Sequence, residues 1–119
     1  MATAIRTDNE MAPLQATLDA LDEVIHQKAR LGVMSALVAT GEMDFRFLKD
    51  TLGLTDGNLS IHLTKLEEAG YISVRKEFAR KKPHTIYTPT ERGREAFRSY
   101  LAALEKIVHA AATPGQTGR

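Results

Sequence analysis

The chain of 119 residues contains no cysteine, which excludes disulfide bonds and thiolate metal sites. The absence of cysteine also fits the reducing environment of the cytoplasm. No apolar run approaches the roughly 20 residues that a membrane-spanning helix needs. The segment Met1 to Met11 has acidic residues and lacks the apolar centre that is typical of a signal peptide. We therefore expect a soluble cytoplasmic protein with no membrane partner.

The sequence also lacks the motifs that catalysis or cofactor binding usually requires. It has no glycine-rich loop to hold a phosphate and no Ser-His-acid set at the spacing of a known motif. The histidines are scattered at His26, His62, His84 and His109. A pair of His26 and His109 that bridges two subunits is one alternative, but such histidines are more often ordinary residues of an amphipathic surface. We expect neither an enzyme nor a cofactor or bound metal.

Excess charge is small overall but concentrated in one short segment. The formal net charge is +1, which by itself argues against a large basic surface. Residues 75–84, however, contain Arg75, Lys76, Arg80, Lys81 and Lys82 against the acidic Glu77 alone. Such a cluster attracts phosphate groups. The alternative interpretation is a solvated turn, because exposed turns are commonly charged.

Apolar residues at spacings of three and four predict helices in the first half of the chain. Pro13 suits a first helical turn, and the apolar stripe that follows predicts a helix over 14–30. Gly32 would separate it from a second helix that ends at Thr40-Gly41, and a short helix should span Asp44 to Leu52. Residues 1–12 and 113–119 lack periodicity, so we predict a flexible arm and tail around one domain at 13–112.

The segment from Thr55 to Gly70 has clear helix boundaries. Thr55 is a good N-cap, and Gly70 can adopt the left-handed conformation that ends a helix. Two extended runs over 71–78 and 85–88 follow, joined by a basic turn at 80–83, and a last helix should cover 91–112. The predicted fold is α+β and mostly helical: a winged helix-turn-helix with a two-stranded β-wing and N- and C-terminal dimerisation helices.

If Leu59, Leu63 and Leu66 face the core, the opposite side of helix 55–70 is mostly small and polar. Asn58 can pair with adenine, and Ile61 can contact a thymine methyl group. The residues predicted to contact DNA from this helix are Thr55, Asp56, Gly57, Asn58, Ser60, Ile61, Thr64 and Lys65. Those predicted for the wing are Arg75, Lys76, Arg80, Lys81, Lys82 and His84.

The two terminal helices carry more apolar surface than a core of roughly 60–70 residues can cover. A symmetric dimer would bury the excess. The alternative is that both helices fold back on their own domain. The predicted dimer interface consists of Leu14, Leu18, Leu21, Tyr100, Leu101, Leu104, Ile107 and Val108.

The run from Leu59 to Ile72 resembles the recognition helix of MarR-type and ArsR-type bacterial repressors. In those families a Ser-x-His-Leu-x-x-Leu-x-x-Ala-Gly-hydrophobic pattern leads into the wing, and Tyr87 to Gly93 looks like their wing exit. The resemblance covers about residues 31–100. It implies that Ser60 and Ile61 face bases, that 80–82 is the wing, and that the first and last helices dimerise. The chain departs from ArsR-type metal sensors because it has no cysteine.

We therefore expect a transcriptional regulator that binds double-stranded DNA, and the resemblance implies a homodimeric repressor reading a pseudo-palindromic operator. Small regulators of this kind can bind a small-molecule effector, and no residue in the sequence identifies one. One alternative is a winged-helix module that binds a protein partner without specific DNA binding. Another is a nonspecific architectural DNA-binding protein.

Overall fold

The computed structural model describes residues 13–112; the predicted arm and tail lie outside them. These residues form two compact units, one made of the residues up to 22 and from 98 onward, the other of Glu23–Phe97. The elements in chain order are α1 (residues 13–19), α2 (Lys28–Thr40), β1 (Met43–Asp44), α3 (Phe45–Leu52), α4 (Asp56–Glu68), β2 (Ile72–Ala79), β3 (Lys82–Pro89) and α5 (Glu91–Ala112).

The core of the unit Glu23–Phe97 lies among α2, α3, α4 and the sheet. Each helix contributes the apolar stripe that its spacing predicts, and Leu48, Leu59 and Leu66 are fully buried. Burial of this kind contributes about 1.5–3 kcal/mol for each large apolar side chain. The other buried apolar residues of the unit are Ile25, Val33, Met34, Leu37, Met43, Leu63, Ile72, Ile86, Tyr87 and Phe97.

The sheet has three antiparallel strands in the order β1-β3-β2, so the prediction of a two-stranded wing is wrong in its strand count. The predicted hairpin is present as β2 and β3, and β1 adds to β3 by pairing Met43 with Tyr87 and Asp44 with Ile86. A strand of two residues shows no alternation that a sequence pattern can detect. Tertiary pairing with β3 creates it.

The turn of the hairpin is shorter than predicted. Ala79 pairs with Lys82 and Phe78 with Pro83, so Pro83 lies in β3 and the loop consists of Arg80 and Lys81 alone. Both loop residues have positive φ, 56° and 64°, as a two-residue type I′ hairpin requires. Pro83 is tolerated in β3 because β1 pairs only with Ile86 and Tyr87, which leaves β3 an edge strand at Pro83.

The continuous helix predicted over 14–30 is also wrong. Helix α1 ends at residue 19, turns follow, and α2 starts at Lys28 with the side chain of Gln27 accepting a hydrogen bond from the Arg30 amide at 2.9 Å. Gly32 lies within α2 instead of breaking it. A Cβ atom at Gly32 would lie 3.1 Å from Leu52 Cδ2, so the glycine permits a close approach of α2 and α3.

The remaining helix boundaries agree with the sequence. Asp44 and Thr55 cap α3 and α4 with their side-chain oxygens. The helices end near Gly41, Gly53 and Gly70, each with positive φ. This arrangement of helix, turn, helix and hairpin confirms the predicted winged helix-turn-helix. None of the helices within residues 13–112 is long and apolar enough to cross a membrane.

Candidate nucleic-acid interface

The outer face of α4 is exposed along its whole length. Leu59, Leu63 and Leu66 point into the core, and all eight residues predicted to contact DNA from this helix are exposed. Ile61 is 57% exposed, so an aliphatic group lies at the centre of this face. The result is a surface of mostly small and polar groups, with charges at Asp56 and Lys65, on which a base edge can be read.

The N-terminus of α4 is held by two interactions, one of which the sequence did not indicate. Thr55 Oγ1 accepts a hydrogen bond from the Asn58 amide at 3.2 Å. Lys49 on α3 forms an ion pair with Asp56, with Nζ and Oδ1 2.9 Å apart. This pair offsets the negative charge of Asp56, which would otherwise repel phosphate, and it links the two helices of the helix-turn-helix. The turn between α3 and α4 brings Lys49 and Asp56 together, and no sequence motif predicts this ion pair.

His62 lies on the inner flank of α4 and contacts α2. Arg30 Nη1 lies 3.1 Å from His62 Nδ1, and Arg30 Nε donates to the Val24 carbonyl. Partial burial lowers the pKa of His62, and the positive charges of Arg30 and Lys65 lower the pKa further. His62 is therefore a neutral acceptor for Arg30 near neutral pH, and this contact fixes α4 against α2.

One face of the wing carries polar residues that are already paired within the chain. Arg75 Nε lies 2.9 Å from Glu77 Oε2, and Arg75 Nη2 lies 3.3 Å from Glu42 Oε1. These hydrogen bonds raise the pKa of Arg75. His84 Nδ1 lies 3.8 Å from Asp44 Oδ2. Of the predicted wing contacts, Arg75 and His84 thus have acidic neighbours that compete with DNA phosphates.

The remaining cationic residues of the wing are Lys76, Arg80, Lys81 and Lys82. All four are exposed, and none of them forms an ion pair with another residue in the range 13–112. Four positive charges on a two-stranded hairpin offer sequence-independent contacts to phosphates. Of the predicted wing residues, Arg75 and His84 therefore have acidic partners, whereas these four are available to contact phosphates.

The residues predicted for a dimer interface differ widely in exposure. Leu18, Leu101 and Val108 are 50%, 44% and 60% exposed. Tyr100 is only 1% exposed in the single chain, so it offers almost no surface to a partner. Intermediate exposure is found at Leu14, Leu21, Leu104 and Ile107. Val108 lies two helical turns after Leu101, so both share one face of α5.

The described part of the chain contains no group of three or more histidine, aspartate or glutamate side chains that could hold a metal ion. The interface consists of α4 and the wing, and its chemistry is that of hydrogen bonding, apolar contact and positive charge. These are the interactions by which proteins bind duplex DNA.

Comparison with protein families gives a match over most of the chain. Residues 29–108 match the winged helix DNA-binding domain. An uncharacterized protein of Methanocaldococcus jannaschii is 35% identical over 79 residues, which cover 66% of this chain and 86% of that protein.

Solved structures with the same fold include several regulators. A transcriptional regulator homologue from Pyrococcus horikoshii OT3 has a TM-score of 0.75 at 26% identity and covers 82% of this chain and 95% of its own. A protein described as a transcriptional regulator of the MarR family from Enterococcus faecalis V583 has a TM-score of 0.61 at 24% identity, with 91% and 90% covered. The PcaV transcriptional regulator from Streptomyces coelicolor, in complex with its natural ligand, has a TM-score of 0.67 at 15% identity, with 92% and 77% covered.

Proposed function

Because the chain belongs to the winged helix DNA-binding domain family, we propose that it is a sequence-specific transcriptional regulator. In this proposal the outer face of α4 lies in the major groove and the wing contacts the adjacent backbone. The observation that carries the proposal is the pairing, within one compact unit, of an exposed, mostly small and polar helix face with a hairpin of available positive charge. The first surface provides specificity and the second provides affinity.

The regulator acts as a homodimer in this proposal. The exposed leucine and valine side chains of α1 and α5 supply the apolar surface that a partner would cover. A two-fold symmetric dimer would place two α4 helices about 34 Å apart and would read a pseudo-palindromic site. Repression is the proposed outcome, because a dimer on such a site competes with other proteins for the same DNA.

A small-molecule effector is part of the same proposal, by analogy with the ligand in the PcaV structure. A depression of about 570 Å³ lies beside α4 and is partly lined by Lys28, Leu54, Asn58 and His62. A molecule bound there would contact α4 directly and could change its position on DNA. We propose no enzymatic activity.

The experiment that tests the proposal is equilibrium binding by fluorescence anisotropy. The full chain would be titrated with duplexes from its own upstream region and with random duplex, each at two salt concentrations. Tighter, salt-sensitive binding to one sequence is the expected result. Equal binding to all duplexes would indicate an architectural protein. Failure to bind any duplex at low salt would leave the protein-interaction module as the better hypothesis.

A further inference from the structure

An exposed aromatic ring lies near the tip of the wing and takes no part in the ion pairs of Arg75 and His84. Phe78 is 78% exposed, compared with 57–60% for Ile61, Phe47 and Val108. A phenylalanine ring in water is unfavourable, since removing apolar surface from water stabilises a complex. Phe78 also lies two residues before Arg80, the first residue of the hairpin loop, at the end of the hairpin that carries the available positive charge.

The strand register shows how Phe78 reaches this position. Side chains alternate along a strand, so Phe78 shares a face with Ile72 and Val74. Ile72 is buried and Val74 is partly buried, but Phe78 lies about 13 Å beyond Val74, at roughly 3.3 Å per residue. Phe78 is therefore an apolar residue beyond the core, separated from Val74 by Lys76 on the same face.

The surroundings of the ring indicate the chemistry of its partner. Pro83 is the cross-strand neighbour of Phe78 and is exposed, so the two form a small apolar tip. Lys76 lies on the same face as Phe78, Arg80 and Lys81 form the loop, and Lys82 is the partner of Ala79 on the opposite face. Glu77 points to the other face and is paired with Arg75. An apolar tip ringed by cations suits a partner with an anionic rim and an apolar interior.

We propose that Phe78, supported by Pro83, is a wedge that enters the minor groove beside the site read by α4 and bends the DNA. The phosphates that line the groove would contact the four cations, and the ring would press against sugars and a base step. Apolar side chains inserted in this way unstack a step and kink DNA by about 20–90°. The proposal rests on the proposed function, because it needs DNA on the α4 face.

The experiment measures affinity and DNA bending separately. The full chain would bind a duplex obtained by in vitro selection, labelled at both ends for energy transfer, at several salt concentrations. The variants are Phe78→Ala, Phe78→Leu, which keeps an apolar wedge, and Arg80→Asn/Lys81→Gly, which removes charge but suits the type I′ turn. Circular dichroism would verify that each variant is folded, as the exposure of these side chains leads us to expect.

We expect Phe78→Ala to weaken binding about tenfold, since one buried aromatic contact of about 1.4 kcal/mol corresponds to that factor. The salt dependence should stay unchanged and the bend should largely disappear. Phe78→Leu should retain most of both properties. The charge variant should show the reverse, with a smaller salt dependence and an unchanged bend in the bound complex.

Two results would overturn the wedge. One is a Phe78→Ala variant that binds and bends the selected duplex as the parent protein does. The other is found by sedimentation without DNA: the parent protein self-associates, and Phe78→Ala abolishes the self-association but still bends DNA. The ring would then form a contact between proteins. If the parent protein selects no duplex at all, the proposed function fails together with the wedge. If the parent protein binds a specific duplex and Phe78→Ala changes neither affinity nor bending, only the wedge proposal is wrong.

Discussion

At the scale of single residues, the proposed function assigns the choice of DNA sequence to exposed positions of α4. Asn58 and Ile61 lie one turn apart and are exposed, and the Asn58 side chain forms no hydrogen bond within residues 13–112. An amide can pair with adenine, and an aliphatic group can contact a thymine methyl. Both side chains are therefore candidates for contacts with bases.

Replacing Asn58 and Ile61 with alanine should relax the choice among DNA sequences. Each lost base contact should reduce discrimination by about 1–3 kcal/mol, whereas binding to random duplex should change little. Competition binding with selected and random duplexes measures this. Glu68→Ala, an exposed position in the last turn of α4, is the matched control. Unchanged discrimination in the double variant would show that α4 is not the reading helix.

His62 should make stability depend on pH. The folded protein binds the proton more weakly than the unfolded chain, whose histidine titrates near 6.5. Stability from the neutral His62 contact is therefore complete above that pH and is lost as the pH falls below it. Urea unfolding at about pH 7.5 and about pH 5.5 should show a smaller decline for His62→Gln than for the parent protein. His26→Gln controls for removal of an exposed histidine, and a decline equal in all three proteins would contradict the prediction.

At the scale of elements, the start of α5 is fixed by close contact with the chain before β2. Thr90 Oγ1 donates to the Gly70 carbonyl at 2.6 Å and accepts from the Gly93 amide at 2.9 Å. A Cβ atom on Gly93 would lie 2.0 Å from the Tyr71 carbonyl oxygen. Gly93 therefore permits this close approach.

Gly93→Ala should destabilise the protein by at least about 2 kcal/mol, because the added methyl group overlaps backbone that has no room to move. Gly57→Ala is the matched control, because nothing lies within 4 Å of a Cβ atom at Gly57. It should leave stability unchanged or raise it by up to about 1 kcal/mol through helix propensity. Urea unfolding of both variants tests this, and equal stabilities would refute the close approach.

The wing should account for much of the salt dependence of DNA binding. Changing Arg80, Lys81 and Lys82 to alanine removes up to three phosphate contacts for each chain. At about 0.9 per phosphate, the slope of log affinity against log salt should fall in magnitude by roughly 3. Arg75→Ala is the control, since Glu42 and Glu77 already occupy its guanidinium, and it should change the slope less. If the triple variant has the same slope as the parent protein, the wing does not contact DNA phosphates.

At the scale of the whole molecule, assembly decides whether one or two α4 helices meet the DNA. Replacing Leu101 and Val108 with lysine should weaken self-association at least about 100-fold, because a homodimer would have to bury uncompensated charge. Analytical ultracentrifugation over a range of concentrations measures this. Ala39→Lys, at an exposed position of α2, is the control. If the variant with both lysines still dimerises, the interface lies elsewhere. If the parent protein is a monomer, the proposed dimer is wrong.

Sequence alone determined the parts of this protein that local physics controls. The leucine spacing of α4, its Thr55 cap, its Gly70 terminator and the alternation of β2 follow from residues near one another in the chain. The outer face of α4 could be deduced for the same reason, since the buried stripe of a helix fixes the opposite side.

Tertiary structure decided what depends on residues far apart in sequence or on packing. Strand β1 exists because β3 pairs with it, and Gly32, which lies within α2, leaves room for Leu52. The ion pairs of Lys49 with Asp56 and of Arg75 with Glu42 separate the charges that are available to DNA from those that are already neutralised. Such pairings depend on which side chains the fold brings within a few ångströms of one another. Neither the periodicity nor the composition of the sequence predicts the distance between two such side chains.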